Sequence, residues 1–248
     1  MLLPPYGKER MVSSSSARSS SPGNLLLAAM SPADLTLLRP HLHFVAMPLL
    51  TDLERPNEPI KSVYFIEAGI ASVVAVQPDD TKVEVGLIGR EGMSGLALVM
   101  GSDRSPHSTY IQVAGKAQRI AAKELRNAIA KSDTLRNLLL KFAHVLMVQT
   151  AQTAIANARS NIDRRLARWI LMAHDRTGDN TLYLTHEFLA LMLGVRRAGV
   201  TETLQKLKQR KLIDTGRSQI IVRDRRAIER MAGAAYGVPE KEYRRLIG

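Results

Sequence analysis

Arg196 and Arg197 stand side by side just after Gly194-Val195, between two stretches of helical apolar periodicity. Paired guanidinium groups at the start of a short helix suit one chemistry above others. They can grip phosphate oxygens, or the O6 and N7 acceptors of a guanine, through two parallel hydrogen bonds. Ahead of them Thr185 is a good N-cap, and Phe188, Leu189, Met192 and Leu193 mark one helix face, with the small Ala190 where a second helix must approach. Gly194 suits the positive φ of a tight turn. Val200, Leu204 and Leu207 then point inward, while Thr201, Gln205, Lys206 and Lys208 point outward. Gly199 weakens the helix by about 1 kcal/mol but leaves room for a close approach, read here as one by DNA. Residues 212–213 and 219–222 flank Asp214-Thr215-Gly216-Arg217-Ser218 as a small hairpin with Arg217 at its tip. Two short helices joined at a glycine, a basic second helix and a hairpin wing form the winged helix-turn-helix pattern.

These residues need a scaffold. Residues 162–174 read as an amphipathic helix, possible cap Asn161, with Leu166, Trp169, Ile170 and Ala173 inward and Arg164, Arg165 and Arg168 outward. Residues 132–160 contain almost no helix breakers. Leu135, Phe142 and Gln149 are seven apart, as are Leu138 and Val145, and Leu139 and Leu146 widen the stripe. A helix of about 28 residues would run about 42 Å, and its heptad spacing suggests a seam with a second copy of the helix, in preference to packing on its own domain. The polar end of that seam (Gln149, Gln152, Thr153) should pack weakly and leave dimer geometry adjustable. Earlier, residues 63–66, 70–76, 83–88, 110–113 and 117–121 look like short strands, with Glu67-Ala68-Gly69 and Gln77-Pro78-Asp79-Asp80 as turns, which indicates a compact antiparallel barrel or sandwich. Residues 25–38 read as helical, with Ser31-Pro32 as a start signal. Residues 1–23 are rich in Ser and Pro and read as disordered. The expected class is therefore α+β: a tail at 1–23, an antiparallel β-roll sensor at 24–130, a dimerisation helix at 131–160 and a winged helix-turn-helix at 161–248.

Charge supports a polyanion partner. The net charge is +12, and residues 160–248 hold 18 Lys+Arg against 10 Asp+Glu, so +8 of it falls in the last 89 residues. The chain has no cysteine, which rules out disulfides, thiol catalysis and Cys-ligated metal centres. No apolar run reads as a membrane span and no secretory signal is evident, so a cytoplasmic location without membrane contact is expected.

The segment from Leu184-Thr185-His186-Glu187-Phe188 through Gly194-Val195-Arg196-Arg197 to Thr203-Leu204, followed by Lys211-Leu212-Ile213, resembles the Crp/Fnr family of transcription regulators, relatives of the cAMP receptor protein. The resemblance extends weakly over 25–228. It implies a cyclic-nucleotide-binding-like β-roll, a long dimer helix and a winged domain, acting as a homodimer on a near-palindromic double-stranded operator and, in an activator, with RNA polymerase. It implies that Thr185 caps a helix and contacts phosphate and that Arg197 reads guanine. Arg196 stands where a Ser often caps the helix, and Ala198 and Glu202 replace base-reading residues, so the target sequence should differ. The DNA-contacting set on this reading is Thr185, Arg196, Arg197, Gly199, Thr201, Glu202, Lys206, Arg217 and Ser218. The family's phosphate cassette would fall on Gly92, Ser94, Gly95, Leu96, His107, Ser108 and Thr109. Leu96 and His107 hold the positions of the ribose-binding Glu and phosphate-binding Arg, which points away from cAMP, leaves the effector unidentified and implies no required cofactor.

His41 and His43 would share a strand face, but no third ligand accompanies them, so no metal site is expected. Gly89-x-x-Gly92-x-x-Gly95 lacks the lysine of a phosphate loop and reads as turns. No nucleophile elbow, HExxH or paired-carboxylate signature points to an enzyme. The leading expectation is a dimeric, sequence-specific DNA-binding transcription regulator whose roll sets the angle between two recognition helices through the long helix. The alternative is a ligand sensor that signals through a protein partner.

Overall fold

The computed structural model describes residues 23–79 and 81–248, so the tail expected at 1–23 lies outside the described residues apart from Gly23. Two short helices, α1 (Leu25–Ala28) and α2 (Pro32–Leu38), open the described chain. Asn24 anchors the first. Its fully buried side chain accepts from the Leu27 amide and donates to the carbonyls of Ile66 and Gly92. Ser31 caps α2 by accepting from the Asp34 amide, with Pro32 in the first turn.

The roll consists of β1 (His43–Met47), β2 (Asp52–Glu54), β3 (Ser62–Val76), β4 (Lys82–Ile88) and β5 (Ser108–Ala121), antiparallel in the order β1-β5-β3-β4 with β2 also on β5. Four of the short strands expected from the sequence are two long ones. Glu67-Ala68-Gly69 is no turn: β3 runs through it with register shifts, and Gly69 takes φ +89° where a Cβ would lie 2.4 Å from the Val113 carbonyl oxygen. A glycine at positive φ inside a strand makes a bulge, which a sequence cannot separate from a turn. β5 likewise continues through Ala114–Lys116. His41 lies in a 3-10 turn, not beside His43 on a strand. No cluster of three metal-ligating side chains occurs among the described residues.

Gly92 and Gly95 precede the short helix α3 (Leu96–Val99), with Gly95 as its N-cap. A Cβ on Gly92 would sit 2.1 Å from the Phe142 ring, so this glycine exists for close packing. After α4 (Ala122–Lys131), α5 (Asp133–Arg159) starts at a Ser132 cap and lays Leu135, Leu139 and Phe142 into the roll core with Phe65, Ile66, Met93, Ile120 and Leu125. By length and composition alone α5 could cross a membrane, with an 18-residue window of hydropathy 1.3, contrary to the sequence reading. Of that window 28% is buried, and the buried face covers the roll.

Asn161 caps α6 (Ile162–Thr177) as expected, accepting from the Arg164 amide. The strand β6 (Thr181–Tyr183) was not legible in the sequence; it joins β8 (Gln219–Val222), which pairs with β7 (Ile213–Gly216). Between β6 and β7 lie α7 (His186–Leu193) and α8 (Arg197–Gln209). The chain ends in α9 (Arg225–Ala232) and α10 (Val238–Leu246), and α10 returns to pack on α5. The winged-domain core reaches into the roll, where Ile70 and Leu87 join Leu166, Trp169 and Ile170.

Candidate nucleic-acid interface

Thr185 caps α7 by accepting from the Phe188 amide at 3.2 Å. Gly194 ends α7 at φ +59° and ψ 41°, the left-handed conformation a glycine adopts without strain. Val200, Leu204 and Leu207 bury α8 against Leu189, Leu193 and Leu166. That burial fixes the rotation of α8 and leaves Arg196, Arg197, Glu202, Gln205, Lys206 and Lys208 on its outer side. Arg196 is the N-cap and Arg197 the first helical residue, and no side chain caps the opening amides of α8. Open amides and two guanidinium groups at one helix start make an anion-seeking tip. Arg197 Nε lies 3.0 Å from Glu187 Oε1, with both side chains more than 60% exposed. A pair this wet is worth about 0–1 kcal/mol and yields readily to a phosphate or a base edge.

Other expected contacts behave differently. Gly199 faces inward: a Cβ there would meet Ile162 Cδ1 at 3.1 Å, so the glycine admits α6, not DNA. Thr201 is half-buried; its hydroxyl donates to the Arg197 carbonyl and lies 2.9 Å from His186 Nδ1, tying α8 to α7. Lys206 Nζ stands 3.9 Å from Asp163, which also accepts from Thr203 Oγ1. Arg217 and Ser218 form the exposed hairpin tip, where Ser218 takes φ +55° and its carbonyl accepts from the Leu184 amide.

Residues 164–231 match the family model for the Crp-like helix-turn-helix domain. The segment built on α6 to α9 is therefore a Crp-like helix-turn-helix domain. The chain is 22% identical over 178 residues to the global nitrogen regulator of Nostoc sp. strain PCC 7120, covering 67% of this chain and 79% of that one. Its fold is similar to that of FixK2 from Bradyrhizobium japonicum (TM-score 0.68, 14% identity, covering 79% of this chain and 99% of that one). It is similar too to a putative Crp/Fnr-family regulator from Eubacterium rectale (TM-score 0.64, 17% identity, 84% and 97%).

The expected dimer seam is corrected. Leu135, Leu139, Phe142 and Val145 are buried against the chain's own core, with Leu138 and Leu146 partly so. Gln149 accepts from the Leu87 amide at 2.6 Å and donates to the Leu87 carbonyl, so this residue of the stripe is held to β4 of its own chain. Heptad spacing identifies an apolar stripe but not what covers it. The uncovered face is a different one: Leu140, Met147 and Ile155 are 40%, 64% and 53% exposed, with Ala151, Ala154 and Ala158 between and beyond them.

A cavity of about 760 Å³ lies between the roll and α5. Gly95, Leu96, His107 and Thr109 line it. Gly92 is packed under Phe142, Ser94 accepts from the Tyr64 amide, and Ser108 pairs with Val74, so these three of the expected pocket residues do not. The remaining wall is largely aliphatic, including Val73, Val85, Ile88, Met100, Ala143 and Leu146. Glu54, which no sequence signal revealed, lines the same cavity. It is buried and accepts from the Gly95 amide at 2.8 Å, and burial pushes its carboxyl above the ordinary value despite that bond. The one arginine lining the cavity, Arg104, donates to Asp103.

The winged domain docks on the roll through buried polar groups. Glu84 on β4 accepts from Trp169 Nε1 at 2.8 Å and from Ser72 Oγ at 2.6 Å. Burial raises its carboxyl to about 7, against the opposing pull of those bonds and of Arg168 and Arg176. Arg168, expected outward, is 7% exposed and donates to Thr153 Oγ1 at 3.0 Å; burial pushes it down to about 10. Arg165, also expected outward, is half-buried and donates to the Leu193 carbonyl. α6 is covered on nearly every side because it lies between two domains, a fact amphipathic periodicity cannot register.

Proposed function

We propose that this transcription regulator binds a near-palindromic operator as a homodimer, each α8 entering a major groove by its N-terminal end. The observation that carries the proposal is the exposed, uncapped start of α8, where Arg196 has no acidic partner among the described residues and Arg197 has only a solvent-screened one. Arg197 reads a guanine, and Thr185, Arg217 and the open amides hold phosphates. In a binding-site selection experiment, Arg197→Ala is expected to lose about 1–3 kcal/mol of discrimination at one base pair per half-site. Unchanged specificity would defeat this register.

The dimer face is the Leu140, Met147, Ala151, Ala154 and Ile155 stripe. Three of these residues (Met147, Ala151 and Ala154) also line the effector cavity, so a ligand there would touch the seam and bias the angle between the recognition helices. Glu54 adds a buried carboxylate to the cavity, at the Gly95 amide and opposite Thr109, which disfavours an anion there, so the effector is read as other than cAMP and as uncharged or cationic at that end. The protein works in the cytoplasm, needs no resident cofactor and, as an activator, would meet RNA polymerase. Met147→Asp should weaken dimerisation by more than about tenfold in sedimentation equilibrium. An unchanged dimer would place the seam elsewhere.

A further inference from the structure

We propose that the cleft between α10, the C-terminal end of α6 and the inner face of α5 is a second ligand site, which binds a small aromatic anion, a carboxylate or a phosphate monoester. The cleft is about 260 Å³, on the scale of one substituted ring, and is separate from the cavity that holds Glu54. Phe142, Val145 and Tyr243 give it an apolar wall, and Arg90 and Arg244 line it together with three carboxylates.

The carboxylates are already engaged. Glu91 lies 2.9 Å from Arg176, Asp175 accepts from Arg225 and from the Tyr236 hydroxyl, and Glu240 accepts from the Gly237 amide. Arg90 and Arg244 have no acidic partner among the described residues. Two polar atoms on this wall are also buried without any hydrogen-bond partner: Arg90 Nε and the Tyr243 hydroxyl. A buried polar atom left unpaired costs about 1–3 kcal/mol. Arg90, Arg244 and the Tyr243 hydroxyl, three uncommitted groups around one cleft, describe a site complementary to an anion with a flat apolar body.

The cleft joins Asp175, Arg176 and Arg225 of the helix-turn-helix match to parts outside it. Tyr236, Glu240, Tyr243 and Arg244 follow residue 231, where the family match ends. Arg90 belongs to the roll and Phe142 to α5. An anion there joins three pieces of the chain and favours the arrangement in which α10 rests on α5.

The test is calorimetric titration and thermal shift on the full chain, without DNA, using benzoate, phenyl phosphate, benzamide and inorganic phosphate. Benzoate or phenyl phosphate is expected to bind and to raise the melting temperature, with benzamide and inorganic phosphate each weaker by about tenfold or more. Arg90→Gln with Arg244→Gln should weaken the anion by a similar factor while circular dichroism shows the fold intact. Tyr243→Phe should raise the melting temperature of the ligand-free chain, since it removes an unpaired buried hydroxyl, and lower anion affinity. Absence of binding by both aromatic anions, equal binding of benzamide, or unchanged affinity in the double variant would overturn the site. Equal binding of inorganic phosphate would overturn the aromatic class. If the double variant does not fold, the single Tyr243→Phe variant decides by the same two readouts: unchanged affinity would overturn the site, and a lowered melting temperature would do so by making the hydroxyl structural.

Discussion

The outer and inner faces of the winged domain carry the same residue type to opposite ends. Outside, Arg196, Arg197 and Arg217 stand in water, and the one carboxylate partner, Glu187, is itself exposed. Inside, Arg168 and Arg176 are almost wholly covered and their hydrogen bonds go to Thr153, Glu91 and the carbonyls of Leu87 and Met172. An exposed pair is cheap to exchange for another anion, whereas a buried one cannot be opened without stranding a charge. The outer arginines are therefore available for recognition and the inner ones hold the domain to the roll.

The largest effect that could break this contrast is at Arg176. Arg176→Ala leaves Glu91 without its cation and should destabilise the chain by about 3–5 kcal/mol in urea unfolding; a loss under about 0.5 kcal/mol would mean the inner face is as loose as the outer. Glu84 sharpens the comparison through pH. Its folded value, about 7, lies above the ordinary 4.5, so the folded state holds the proton longer than the unfolded chain. Its contribution to stability is full below pH 4.5, falls as pH rises from there to 7, and is gone above, a loss on the order of a few kcal/mol. Glu84→Gln should flatten that slope in unfolding curves measured across this range; an unaltered slope would remove Glu84 from the junction. The smallest effect belongs to the outer face. Arg217→Ala should leave the melting curve unchanged and weaken operator binding evenly across sequences, lowering the salt slope of log K by about 1.8, about 0.9 for each protomer of the dimer. A sequence-dependent loss would make the wing a reader of bases.

How much could be read beforehand followed the range of the interactions involved. Thr185, Gly194 and Asn161 were legible because caps and left-handed turns are set by neighbours within four residues. The inward positions Val200, Leu204 and Leu207 were legible because helical period is local. Gly199 was misread, since a glycine records that something comes close but not whether it is Ile162 or a nucleic acid. Arg168 and the α5 stripe were misread for a related reason. Periodicity finds a face, but the roll and the winged domain decide which face is covered. Glu54, β6 and the cleft beneath α10 gave no sequence signal, because each joins segments far apart in the chain.

The amino-acid order on its own determined the helix-turn-helix, its wing, the basic skew of the C-terminal third and the presence of one long helix, all consequences of contacts between near neighbours. Tertiary structure alone decided which arginines meet water, which side of α5 is left bare and where a carboxylate enters the sensor cavity. Those outcomes depend on burial, and burial exists only once distant segments have packed together.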